Sequence, residues 1–277
     1  MPTSHSQKQR GYGSTTKKTR GGRRTPHDQL ICGIHPILEA LKECPQCLKE
    51  IYSAKSKPSQ RVEEILDLAH KNDIPVRIGS GQTVEYSRNT LEMMDMESSQ
   101  GLFARIVFPI ISFDVFMESL QSVPNPPLLL ALDSIQDPHN LGAIIRTAVA
   151  AGANGLILPK DRSAAITATV IRVSAGAIFH LKISRVTNLV SCFKELKKAG
   201  IWVFGATKDS NGSIYEVDLT VPACLVIGSE GKGLRPLVAE NCDHLISIPM
   251  QSSLDSLNAS VAAGIILFET VRQRKSN

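Results

Sequence analysis

Residues 226–234 read VIGSEGKGL, and residues 248–263 read IPMQSSLDSLNASVAA. In each, an apolar run stops at small and polar residues and a helical pattern follows, so both read as strand, tight loop and helix start. Gly228, Gly231 and Gly233 crowd one short loop. Such crowding implies a backbone approach too close for a Cβ, or positive φ. We read the approach as that of a ligand, an ordinary tight turn being the alternative. A third polar cluster, DPHNLGAIIRT at residues 137–147, precedes both.

The surrounding pattern alternates between strand and helix. Strands are expected at residues 128–132, 155–158, 181–186, 202–206, 224–227 and 245–248, and helices at 141–151, 167–175, 189–199, around Leu237, and at 257–272. Apolar strands alternating with helices predict a parallel sheet covered on both faces. Ligands of such sheets sit beyond the carboxyl ends of the strands, and all three clusters lie at such ends. Upstream, residues 36–41 and 59–71 read as helices, the second with Val62, Ile65, Leu66 and Ala69 on one side. Residues 50–54, 74–78 and 102–108 read as strands. Pro109, Pro124, Pro126 and Pro127 bracket one short helical patch between the two regions. The expected organisation is a basic tail at 1–27, a small α/β domain at 28–108, a linker at 109–126 and a larger parallel-sheet α/β domain at 127–277.

The chain has 277 residues and a formal charge of +5. No apolar run approaches the roughly 18 residues of a membrane span, so a soluble protein is expected. Lys8, Arg10, Lys17, Lys18, Arg20, Arg23 and Arg24 all fall within residues 1–27, which hold no acid, so the remainder is slightly acidic. Gly, Ser, Thr and Gln between those charges predict disorder. The tail lacks both the apolar core of a signal peptide and the amphipathic face of a transit peptide. Basic arms of this kind contact nucleic-acid phosphates, with a merely solubilising tail as the alternative. The six cysteines show no framework spacing, which points to a reduced, cytoplasmic setting. Cys44 and Cys47 form a single CxxC without a second pair, a structural feature rather than a zinc site, and no metal is expected.

Competing motif readings fail on order. GSEGKG is not GxGxxG, and no acidic residue ends a strand about 20 residues further on, as a dinucleotide fold requires. Lys232 is followed by Gly233 rather than Ser or Thr, which excludes a P-loop. No GxSxG elbow supports a hydrolase built on His139 and Asp137, and His139 reads as part of a helix entry.

The clusters NLGAIIR at 140–146, VIGSEGKGL at 226–234, and IPM followed by SLNAS at 248–260 resemble the three ordered motifs of the SpoU (TrmH) branch of the SPOUT class of RNA 2'-O-ribose methyltransferases. The layout, a small domain before the catalytic one, is similar to members that methylate a guanosine of 23S ribosomal RNA. Transfer RNA is the second substrate that the resemblance allows, and a non-catalytic RNA-binding protein that keeps the fold is the alternative of another class. The resemblance implies a trefoil knot in the C-terminal domain, which general topology rules would have excluded. It also implies S-adenosylmethionine as methyl donor, a homodimer, and RNA rather than DNA as partner. Residues 30–106, ending in GLFARI, resemble the family's ribosomal-protein-like RNA substrate-binding domain. Members usually carry His-Gln-Gly where this chain has Ser99, Gln100 and Gly101.

Carried over by position, Ala206, Thr207, Gly228, Ile248, Met250 and Leu257 are expected to hold the cofactor, through backbone groups and an apolar slot. Arg146 takes the base role by family precedent, with Asn140, Glu230, Ser256 and Asn258 arranging it and the substrate. A guanidinium with a pKa above about 12 is a poor base. Phosphate binding and stabilisation of a developing alkoxide therefore stand as the other role for Arg146, and a surface ion pair with Glu230 as the bland one. Ser256 and Asn258 also suit the start of a helix.

Overall fold

The computed structural model describes residues 28–55, 57–79, 100–123, 126–210, 212–251 and 256–276. The basic tail, Ser99 and the third motif's residues 252–255 lie outside them.

The larger sheet is built on β5 (Leu128–Asp133), whose sequence LLLALD is buried along its whole length. Around it run β6 (Gly155–Pro159), β7 (Lys182–Val186), β8 (Trp202–Ala206), β9 (Ala223–Gly228) and β10 (His244–Ile246), in the spatial order β10-β8-β9-β5-β6-β7. Every pairing among them is parallel. Near-continuous apolar strands are what a sheet buried on both faces needs. Leu128, Leu130 and Leu132 of β5 face one core, with Ile144 and Ile145 of α4 (Pro138–Ala150), Ile171 of α5 (Ala168–Val173), and Ile266 and Leu267 of α8 (Ala259–Ser276). Leu129 and Ala131 face the other, with Phe116 of α3 (Phe113–Leu120), Phe193 of α6 (Leu189–Lys198) and Val238 of α7 (Pro236–Glu240).

The preceding module is a four-stranded sheet of order β1-β4-β2-β3, made of β1 (Asp28–Cys32), β2 (Leu48–Ser53), β3 (Val76–Ile78) and β4 (Leu102–Val107). Its strands pair antiparallel except β2 with β3. Helices α1 (Ile34–Glu43) and α2 (Gln60–Lys71) press Ile37, Leu41, Ile65 and Leu66 into its core. That core runs without a break into the larger domain, where Phe108 meets Phe179 at a centroid distance of 5.7 Å. Across the same junction His180 Nε2 lies 2.7 Å from Glu39 Oε2. The connecting stretch also packs down: Ile111 donates its N–H to the carbonyl of Ile183 on β7, and Phe116 is wholly buried.

Cys44 and Cys47 stand side by side and are paired as a disulfide in the structure, in keeping with a structural role for this CxxC. The end of α1 runs directly into a one-turn 3-10 helix, Pro45–Cys47, which brings the two Cα atoms to 5.4 Å, a distance that a disulfide spans. Among the described residues no cluster of His, Cys, Asp or Glu could hold a metal, and no helix is long and apolar enough to cross a membrane.

Candidate active site

The carboxyl edge of the sheet carries the three motifs. β9 ends at Gly228, in register with Asp133 at the end of β5. After Asp133 the chain turns into α4, whose first turn is capped by Asp137 Oδ1 accepting from the His139 N–H at 2.9 Å. Pro138 at the first helical position suits that start, since its missing N–H would have had no helical partner.

The glycine loop folds back on itself. Ser229 and Gly233 exchange backbone hydrogen bonds of 3.1 and 2.8 Å. A Cβ on Gly228 would sit 2.2 Å from the Gly233 carbonyl carbon, and Gly233 has φ 64°. A Cβ at Gly228 is therefore forbidden first by the loop's own closure. Gly231 has open space where a Cβ would project.

This closure presents Glu230 toward α4 and α8. Its Oε1 accepts from Asn140 Nδ2 at 2.6 Å and from Asn258 Nδ2. Asn258 Nδ2 also lies 3.1 Å from Asn140 Oδ1. The Asn258 carbonyl is engaged elsewhere: it accepts from Ser260 N–H at 2.9 Å and Ser260 Oγ at 2.6 Å, capping α8. That second role fixes the amide orientation, because only its nitrogen is left to face Glu230. Glu230 Oε2 has no hydrogen-bond partner among the described residues. It is an acceptor open to a hydroxyl.

Arg146 follows Asn140 on α4, about 9 Å further along the axis at ~1.5 Å per residue. It is exposed and makes no ion pair among the described residues, so the surface pair with Glu230 is not formed. Ser256 is exposed and is hydrogen-bonded to none of the trio. The residues expected at the cofactor lie along the same edge. Ala206 ends β8, Thr207 donates its N–H to Ile246 at 2.9 Å, Gly228 ends β9, and Ile248 follows β10. These strands are neighbours in the order β10-β8-β9. Ile248 packs against the core and Leu257 is half-buried, while Met250 is exposed.

Sequence reading missed one pair at this edge. Asp133 is fully buried, and its carboxylate accepts from Arg235 N–H at 2.8 Å and Arg235 Nε at 2.6 Å. The available signal was an acid closing the apolar run LLLALD, where a carboxylate needs a partner.

Strand ends that offer backbone groups, beside polar side chains drawn from three separate segments, define an open-sheet α/β protein with its ligand edge at the carboxyl ends. The chain belongs to the SpoU rRNA Methylase family, whose model matches residues 127–268. A second model, RNA 2'-O ribose methyltransferase substrate binding, matches residues 30–108. The chain is 39% identical over 248 residues to the 23S rRNA (guanosine-2'-O-)-methyltransferase RlmB of Pseudomonas putida, a match covering 89% of this chain and 97% of that protein. It is 38% identical over 250 residues to the putative TrmH family tRNA/rRNA methyltransferase YacO of Bacillus subtilis, covering 90% and 96%. The crystal structure of the SpoU methyltransferase AviRb from Streptomyces viridochromogenes, in complex with AdoMet, matches with a TM-score of 0.75 at 28% identity, covering 92% of this chain and 96% of that one. The family resemblance drawn from the three motifs is borne out, as is a parallel-sheet α/β domain behind a small one.

Proposed function

We propose that this chain methylates the ribose 2'-hydroxyl of a guanosine in 23S ribosomal RNA, with S-adenosylmethionine as donor. The hydrogen-bonded trio Asn140–Glu230–Asn258 carries the reading, because it leaves a carboxylate oxygen open at the ligand edge. The relatives named RlmB support the substrate, and the AdoMet complex of AviRb supports the donor. The edge suits such a donor: Ile248, Met250 and Leu257 offer apolar surface, and the ends of β8 and β9 at Ala206, Thr207 and Gly228 offer backbone groups. When bound, the donor supplies an electrophilic methyl on a sulfonium sulfur.

Glu230 Oε2 accepts a hydrogen bond from the 2'-hydroxyl and takes its proton as the oxygen is methylated, and Asn140 and Asn258 hold that carboxylate in place. Arg146 keeps its charge, binding the adjacent phosphate and stabilising negative charge as it develops on the ribose oxygen. Ser256 lines the approach. The module at residues 28–108 holds the RNA and the domain at 127–277 performs the transfer, with the trefoil knot at the third motif. The working unit is a homodimer in the cytoplasm. Val261 and Phe268, exposed two turns apart on one side of α8, support a second copy there. A transfer RNA substrate is the second reading, favoured by the name of the YacO relative. Mass mapping of 2'-O-methyl groups in RNA from cells with and without the gene tests both: loss at a 23S guanosine is expected, and loss confined to transfer RNA selects the second.

A further inference from the structure

We infer that Asp133 and Arg235 are a positioning pair for Glu230, acting through the base of the glycine loop. This rests on the reading of Glu230 as the group that meets the 2'-hydroxyl. Asp133 is fully buried at the end of β5. A buried carboxylate is costly unless it is paired and hydrogen-bonded. Its partners are concentrated on one residue: Oδ2 takes the Arg235 backbone N–H and Oδ1 takes Arg235 Nε, with Ser134 Oγ at 3.3 Å from Oδ1.

Arg235 is the residue at which the glycine loop ends and α7 begins. The loop thus hangs between two fixed points on β5. At one end Gly228 pairs with Asp133 in the sheet, and at the other Arg235 is gripped through backbone and side chain by the same aspartate. Between them the Ser229–Gly233 closure leaves little slack. Glu230 is exposed and, among the described residues, its side chain is hydrogen-bonded to the two asparagines alone, so its height above the sheet follows from how the loop's ends are held. The grip on Arg235 sets it. A buried ion pair is weak grounds for stability as such. Here it joins the first motif to the second at the point where their side chains must meet. Lysine keeps the charge and the backbone N–H but lacks a donor at the Nε position, so it loosens the grip without discarding the pair.

The test is a double-mutant cycle of Arg235→Lys and Glu230→Gln, read by single-turnover methylation of the RNA at saturating donor. Arg235→Lys should lower the rate tenfold or more, with the RNA concentration dependence and the melting temperature nearly unchanged. In the Glu230→Gln background it should cost less than twofold, because the side chain it positions is already disabled. Independent effects that multiply, or an unchanged rate in Arg235→Lys, overturn the inference. A wild-type rate in Glu230→Gln alone overturns the role of Glu230 itself, and this inference with it. Asp133→Asn, which removes the buried charge yet keeps an acceptor for the Arg235 N–H, replaces the lysine variant in the same cycle if that protein does not fold.

Discussion

Asn258 uses both ends of its amide, and this makes it the most informative single residue to change. Its oxygen caps α8 and its nitrogen holds Glu230. Asn258→Asp keeps a good cap but sets a second carboxylate against Glu230, where like charges disfavour each other. Methyl transfer should fall about a hundredfold while thermal stability changes by no more than about 1 kcal/mol, as read by single-turnover rates and melting curves. Arg146→Ala should also cost about a hundredfold in the chemical step, with donor affinity intact by titration calorimetry. Partial rescue in Arg146→Lys is expected, because charge rather than the guanidinium fork is what the proposal requires. At this scale the sequence was a good guide to which residues gather and a poor guide to why. Asn140, Glu230 and Asn258 were read as one site and do converge. The glycine spacing shows in sequence that a Cβ is forbidden, and the structure adds that the Gly233 backbone is one of the things that forbids it.

Among the elements, α4 carries both Asn140 and Arg146, so its entry geometry matters. Periodicity alone opened this helix at Leu141, three residues late, because apolar spacing does not register a Pro at the first turn or the Asp before it. Asp137→Ala should destabilise the protein by about 1 kcal/mol, the usual cost of a lost cap, measured by urea unfolding. Strand β1 escaped the sequence reading altogether. DQLIC holds too short an apolar stretch to show alternation, and it becomes a strand by pairing with β4 along its full length. The parallel strands of the larger domain were readable because burial on both faces writes an unbroken apolar run into each. Three thiols sit behind them in the core facing α6. Burial pushes Cys192 up to about 11 and Cys242 up to about 12, and Cys224 higher still, so these are packing groups and poor nucleophiles.

For the whole molecule, the junction between modules is the feature that sequence hid. A run of prolines marked where one pattern stops and the next begins, and it says nothing of the apolar core that continues across the break. Glu39 and His180 add a polar contact there. Partial burial raises the Glu39 carboxyl, but hydrogen bonds from His180 and Lys42 outweigh it and hold the group below its ordinary value. A lowered carboxyl stabilises the fold fully above the unfolded value near 4.5, and that stabilisation is lost as pH falls through the folded one. Glu39→Gln should therefore lower the melting temperature by about 1–3 °C at pH 7, the scale of a partly exposed pair. Near pH 3 the two proteins should melt alike. The tail belongs to this scale too. Its seven cations should add phosphate contacts that read no sequence. Deleting residues 1–27 should weaken RNA binding and flatten the slope of log affinity against log salt by about two to four, at roughly 0.7–0.9 per phosphate. The methylated nucleotide should not change.

The bonds on Glu230 join residues 90 and 28 positions away in the chain, and the bond between the two asparagines spans 118. During synthesis this constellation is the last thing to exist. A nascent chain can complete its first module before Asn258 is made, but the larger sheet then still lacks Ile266 and Leu267, which cover one of its faces. The site and the last layer of the core therefore arrive together. Methylation by tethered nascent chains should begin only once the helix that starts at Ala259 has emerged and drawn Asn258 onto Glu230.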